Sequence, residues 1–379
     1  MPSERARQTT DFEAMNVLER ANAMDDVVHL EVGEPDFDPP SAVVDRAVAS
    51  LRAGDVRYTE ARGTPALRRA IAAHYERTYG VTVAPERVVV TPGSSPALAL
   101  TTLALVDPGD EVVLTDPHYA CYPNFVTLAD GRVRTVPLAR EDGFRVDPAA
   151  LAEALPGARA LLLNSPANPT GAVLPGATLE AAVAAAADAG ARVVSDEIYH
   201  GLSYDAETRS VLEYTDEAFV LDGVSKRYGM TGWRLGWVVV PPDFVDAVNR
   251  LAQNLLICAP SFVQDAAVEA LRTPPSFLAD VRETYRERRD YLVDAVADWP
   301  GVTAGYEPGG AYYLLVDASD VFADAFAAAD AFLDAGVAVT PGPDFGAAAG
   351  DYVRLSYATD TESLAAADRR VRALLADRA

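Results

Sequence analysis

Apolar residues recur along this chain in short blocks, and most blocks end in a polar cluster rich in Gly, Pro, Ser or Asn. Seven blocks read as strands: Arg87–Val90, Glu111–Leu114, Arg132–Val136, Ala160–Leu163, Arg192–Val194, Phe219–Leu221 and Trp233–Val240. Between them, helical spacing predicts Pro65–Tyr79 before the first, Ala97–Val106 after it, and Thr178–Ala189 further on. Short apolar strands alternating with helices imply an α/β fold, with a mostly parallel seven-stranded sheet between helices. Ligands of such sheets sit beyond the carboxyl ends of the strands. The polar clusters T-P-G-S-S-P, T-D-P-H-Y, N-S-P-A-N-P-T-G, S-D-E-I-Y and D-G-V-S-K all fall there.

The flanks have a different character. An acidic helix is expected over Asp11–Met24, then a short strand in V-V-H-L-E-V and a helix from Ser41 through Leu51. Beyond the sheet, helices are expected near Asp243–Leu256 and Ser261–Leu271, then a long charged one at Pro275–Ala297. A strand near Ala311–Val316, a helix near Val321–Ala335, a strand at Tyr352–Tyr357 and a last helix from Thr361 complete the pattern. This predicts a large domain over residues 41–275 and a smaller α+β domain over 276–379, to which the N-terminal segment 1–40 belongs.

Composition narrows the functional classes. A net charge of −24 over 379 residues disfavours nucleic acid and anionic membranes as partners. Abundant Asp and Glu, an Ala/Val-rich core and scarce lysine match the surfaces of proteins from salt-loving microbes. The two cysteines and four histidines show no metal-ligand spacing, so no metal site is expected. With neither a signal-type leader nor a bilayer-length apolar run, the reading is a cytoplasmic protein with free thiols.

One basic residue stands apart. Lys226 is the single lysine, and the other 31 of the 32 basic side chains are arginine. A buried lysine can lose its proton and act as an amine nucleophile, which arginine cannot. Its companions at the strand ends form a coherent set. Ser94 and Ser95 lie just ahead of the predicted helix Ala97–Val106 and could hold an anion with Arg234. Asp196 could keep a pyridine nitrogen protonated. Asn168 and Tyr199 could contact a ring oxygen, Tyr119 could stack on a ring, and Arg354 could clamp a carboxylate.

Seven segments in order carry a resemblance: G-E-P-D-F (33–37), Y-T-E-A-R-G-T-P (58–65), N-P-T-G (168–171), D-E-I-Y (196–199), S-K-R-Y-G-M-T-G-W-R (225–234), P-G-G-A-Y-Y (308–313) and Y-V-R-L-S-Y (352–357). Over nearly its whole length the chain resembles the class I/II, fold-type I aminotransferases of the aspartate aminotransferase superfamily. The resemblance implies pyridoxal 5′-phosphate as cofactor, and an amino acid and a 2-oxo acid as alternating substrates in a ping-pong exchange. It implies that Lys226 bonds the cofactor aldehyde and then carries the substrate's α-proton, that Asp196 pairs with the ring nitrogen, and that Ser94, Ser95, Ser225 and Arg234 hold the phosphate. Arg354, Asn168 and the backbone of Gly33 would receive the substrate carboxylate. Tyr58 would reach the phosphate of a neighbouring subunit, making a homodimer the working unit. Three positions depart from the common pattern: Gly223 stands where many relatives have serine, Ser95 where aspartate-using relatives often have lysine, and Tyr119 where tryptophan is frequent. Tyr312 and the segment near Phe12 are expected to line or close the pocket. A β-elimination lyase on the same cofactor, or a non-enzymatic ligand sensor on the same fold, are the alternatives the residues leave open.

Overall fold

The computed structural model describes residues 1–378. Its principal sheet holds seven strands: β2 (Val88–Thr91), β3 (Glu111–Asp116), β4 (Arg132–Pro137), β5 (Ala160–Asn164), β6 (Arg192–Asp196), β7 (Phe219–Gly223) and β8 (Gly236–Val239). They lie in the order β2-β8-β7-β6-β5-β3-β4. All run parallel except β8, which pairs antiparallel with both β7 and β2. The start of β8 therefore lies at the edge where the other six strands end.

Helices cover both faces, and their ends are set by local chemistry. On one face pack α3 (Ser41–Ala53), α4 (Pro65–Tyr79), α8 (Gly176–Asp188) and α10 (Ser261–Ala270). On the other lie α5 (Ser94–Leu105), α6 (Tyr122–Leu128) and α9 (Val245–Leu255). α4 begins with Pro65 behind a Thr64 cap and stops at Gly80 in the left-handed region, as its sequence predicts. α5 starts three residues earlier than expected, at Ser94. Pro96 is no obstacle there, because the first turn of a helix has no intrahelical partner for that N–H.

A second core forms around β9 (Tyr313–Asp317), β11 (Thr340–Pro341) and β12 (Tyr352–Ser356), which pair antiparallel in the order β11-β12-β9. The helices α11 (Pro275–Ala297), α12 (Ala325–Asp334) and α13 (Thr361–Ala376) pack against it. The N-terminal segment joins this core. β1 (Val28–His29) pairs parallel with β10 (Val337–Ala338), and Leu30 is buried among the residues of the second core. β1 is shorter than the apolar run predicts, since β10 offers only two partners. Ahead of it lie α2 (Glu13–Asn22) and an unanticipated short helix, α1 (Glu4–Gln8), capped by Ser3. A short α7 (Pro148–Ala154) completes the set. Among the described residues, no helix is long and apolar enough to cross a membrane.

Candidate active site

One cavity of about 210 Å³ opens where the carboxyl ends of the principal strands face the second core. The chain reaches it repeatedly just after a strand: Ser94 and Ser95 after β2, Tyr119 after β3, Asn168 after β5, Asp196 and Tyr199 at the end of β6, Ser225 and Lys226 after β7. Arg234 enters just before the reversed β8, and Gly33 and Arg354 come from the other side. Of the residues given a role in the sequence, two lie outside the lining: Tyr58, 84% exposed on the surface, and Tyr312, which is buried.

Lys226 Nζ donates to the carbonyl of Gly33 at 2.6 Å and lies 5.9 Å from the ring centres of both Tyr199 and Tyr312. Burial lowers its pKa to about 8; the nearby Glu34 opposes that shift, while Arg354 and Arg234 reinforce it. An amine that loses its proton this readily is a competent nucleophile and base near neutral pH. Asp196 is buried, which raises its carboxyl to about 6 despite hydrogen bonds from Tyr122 Oη (2.8 Å) and the N–H of Ile198 (3.2 Å). A cationic partner would stabilise the ionised form.

Arg354 is 2% exposed, yet its guanidinium is incompletely satisfied. Nη1 donates to Asn168 Oδ1 at 2.9 Å, and Nη2 to the carbonyl of Glu31 and to Thr340 Oγ1. The rings of Tyr313 and Phe345 flank its plane at 4.4 and 4.7 Å, whereas Nε has no acceptor. A buried arginine on β12 with an unpaired donor and a cavity beside it is a ready carboxylate clamp.

The opposite end carries the groups an anion would need. No side chain caps α5, so its first N–H groups are free to meet a ligand. Gly93, at φ 100°, lies so close to Arg234 that a Cβ there would stand 2.4 Å from Nη2. Arg234 itself corrects an expectation. It does not belong to a strand beginning at Trp233: residues Thr231–Trp233 form a 3-10 turn and Arg234 takes φ 56°, with β8 starting at Gly236. The turn brings its side chain to the cavity, where Nη1 donates to the carbonyl of Thr231. At Gly223 a Cβ would stand 3.0 Å from the Leu235 carbonyl, so a serine there would need the backbone to give way.

Several contributors escaped sequence reasoning. Tyr122 steadies Asp196. Asn164 Nδ2 donates to the Asp196 carbonyl while its Oδ1 accepts from the N–H of Asn168, joining two site segments. Tyr313, rather than the anticipated Tyr312, borders the cavity; its hydroxyl lies 2.9 Å from that of Tyr199 and against Gly33, where any Cβ would collide with it. Tyr312 is buried and donates to the Gly33 carbonyl at 3.1 Å. A second tyrosine in P-G-G-A-Y-Y was the available signal.

Free N–H groups at a helix start beside an arginine, a buried carboxylate of raised pKa, phenolic and amide groups, and an amine of lowered pKa together fit a phosphorylated pyridine aldehyde. Comparison with known proteins agrees. The family described as aminotransferase class I and II matches residues 25–371. The chain is 39% identical over 359 residues to an arginine–pyruvate transaminase of Pseudomonas aeruginosa, covering 93% of this chain and 91% of that one. It is 40% identical over 348 residues to an aspartate/prephenate aminotransferase of Thermus thermophilus, covering 89% and 88%. Its structure superposes on an aspartate aminotransferase from Thermus thermophilus with maleate at a TM-score of 0.94 and 37% identity, over 99% of this chain and 100% of that one. The chain belongs to the aminotransferase class I and II family. As a class I/II aminotransferase it uses pyridoxal 5′-phosphate and moves an amino group from an amino acid to a 2-oxo acid. The fold expected from the strand pattern is the one found.

Proposed function

We propose that the cavity residues divide the work of transamination as follows, and that Lys226 carries the chemistry. When bound, pyridoxal 5′-phosphate supplies an aldehyde that takes up the amino nitrogen and a pyridine ring that receives the electron pair released at Cα. Arg354, supported by Asn168, holds the donor's carboxylate and so orients its Cα–H bond. Lys226 would hold the cofactor through its amine and, as a free amine, would lift the donor's α-proton and carry it across the site. Asp196, ionised against the ring nitrogen and steadied by Tyr122, keeps that nitrogen protonated. Tyr199 and Asn168 address the ring oxygen, and Tyr119 covers the ring. Ser94, Ser95, Ser225 and Arg234 receive the phosphate. The observation that supports this most directly is the convergence on one cavity of the single lysine, a buried carboxylate and a buried arginine with an unpaired Nε.

The reading extends to a homodimer, in which Tyr58 completes the partner's phosphate site. Tyr58, Val56 and Ile257 are exposed, and the segments that carry them are pinned together: Ser261 Oγ donates to the Asp55 carbonyl at 2.6 Å, and Gln264 Nε2 to Thr59 Oγ1 at 3.0 Å. An apolar patch of this kind suits burial against a second copy. Residues 41–275 are read as the cofactor-binding domain, and 276–379 with 1–40 as the smaller one. Two unpaired cysteines, Cys121 and Cys258, accord with a reducing cytoplasm.

Borohydride reduction of the loaded protein tests the assignment, since it should fix the cofactor's mass on the peptide containing Lys226. A Lys226→Ala protein should show no such adduct, and its half-reaction with an amino donor should slow by roughly 10³-fold, the scale of a lost acid–base group. An adduct on another peptide, or undiminished turnover in the variant, would overturn the assignment.

A further inference from the structure

The cavity holds a second kind of information, about the side chain of the amino donor. Its lining cations are Lys226, Arg234 and Arg354, and its lining carboxylate is Asp196. In the reading above each already has a task, at the reacting nitrogen, the phosphate, the α-carboxylate and the ring nitrogen. Within this chain's own lining, a second carboxylate on the donor would find no free cationic partner, and a cationic side chain no free anion. Either arrangement is costly in a site walled by protein. Two further acids stand near but outside the lining. Asp344 Oδ1 accepts from the N–H of Glu13 in the first turn of α2 while its buried Oδ2 has no hydrogen-bond partner, and Glu34 accepts from Thr231 Oγ1.

The position of the side chain follows from the clamp and the nucleophile. The donor's Cα must lie between Arg354, which holds its carboxylate, and Lys226, which takes its proton. The backbone of residues 31–33 crosses that same span: the Glu31 carbonyl accepts from Arg354 and the Gly33 carbonyl from Lys226. Val32, between them, borders the cavity. Above it stand Phe12 and Met15. Phe12 meets the Tyr119 ring edge-to-face at 5.9 Å, and Met15, though apolar, is left 49% exposed at the opening. The helix bearing Met15 is not loose; its Ala14, Val17 and Ala21 are buried. Three apolar side chains that stay partly open because they border one cavity form a receptor for apolar surface.

Resting on the transaminase reading, we propose that this enzyme selects amino donors with neutral apolar side chains, aliphatic or aromatic, and that Phe12, Met15 and Val32 are the residues that select them.

The test uses the cofactor-loaded protein and follows the spectral change of the half-reaction in a single turnover. L-Leucine and L-phenylalanine should react with second-order rate constants at least about tenfold above L-alanine and about 100-fold above L-aspartate and L-arginine, the span that apolar pockets and unpaired charges impose. Phe12→Ala should lower the leucine-to-alanine ratio about tenfold, and Phe12→Leu should restore most of it, which a folding defect would not do. Calorimetry adds a reading free of turnover: 4-methylpentanoate should bind more tightly than maleate. Aspartate or arginine as the fastest donor, maleate as the tighter ligand, or an unchanged ratio in Phe12→Ala would each overturn the proposal. No conversion with any donor would instead sink the transaminase reading, and the two acids would still report the side-chain preference.

Discussion

Glu197 follows Asp196 directly but faces away from the cavity, and it offers a quantitative test of how the core behind the site is charged. It is 1% exposed. Its Oε1 accepts from Ser195 Oγ (3.1 Å), Ser210 Oγ (3.1 Å) and the N–H of Val211 (2.9 Å), while Oε2 has no hydrogen-bond partner. Burial raises its pKa from 4.5 to about 8, with the nearby Asp222 adding to the shift and the Val211 N–H and both serines opposing it. A pKa raised in the folded state means that, between 4.5 and about 8, the folded protein holds a proton the unfolded chain has released. Stability from this group is therefore complete below that window and declines through it, by about 1.4 kcal/mol per pH unit. From roughly pH 5.5 to 9 the loss should come to about 3 kcal/mol. Glu197→Gln keeps the Oε1 acceptor and removes the proton equilibrium. Asp196 and Asp222, also raised to about 6, titrate in both proteins and so largely cancel in the comparison. Urea unfolding of wild type and variant at several pH values should show the curves diverging, with the variant gaining relative stability as pH rises. Parallel curves would refute the claim that Glu197 is protonated near neutrality.

Two further outcomes follow from nearby groups. Arg227, buried beside Lys226, donates to Asp222 Oδ2 (2.9 Å) and to the His200 carbonyl (3.0 Å), and it meets His74 Nε2 at 2.8 Å. Arg227→Leu strands Asp222 and should cost about 3–5 kcal/mol in urea unfolding; adding Asp222→Asn should recover part of that, and a loss below about 1 kcal/mol would contradict the buried pair. Tyr122→Phe removes a donor that favours ionised Asp196, so its carboxyl should rise further and the cofactor's dissociation constant should increase about tenfold by equilibrium dialysis, the scale of one charge-assisted hydrogen bond. An unchanged constant would mean that Tyr122 serves packing alone.

Much of this architecture was readable from local chemistry. α4 and α11 begin and end at the residues expected, because Pro at the first position marks both starts and Gly80 ends the first. The strand-end polar clusters led to the site for a similarly local reason, since parallel strands flanked by helices deliver their next residues to one edge. What escaped notice depends on distant partners. Tyr122 reads as one more core aromatic until Asp196, 74 positions away, comes against its hydroxyl. Arg234 sits in an apolar run that has strand periodicity, and nothing in that run marks the 3-10 turn at Thr231–Trp233 that carries its guanidinium to Gly93. Glu31 and Thr340, which brace Arg354, are ordinary polar residues until the two cores meet.

The apolar wall and the reacting groups come from segments far apart in the chain. Phe12, Met15 and Val32 precede the first strand of the principal sheet, whereas Lys226, Asp196 and Arg234 hang from that sheet's own edge. Appetite and chemistry are thus written in separate passages of the gene. Duplicated copies of such a gene can drift toward new diets by changes confined to the first tenth of the coding sequence. Protein engineers can work the same way, shuffling that opening passage while leaving the machinery it serves as it stands.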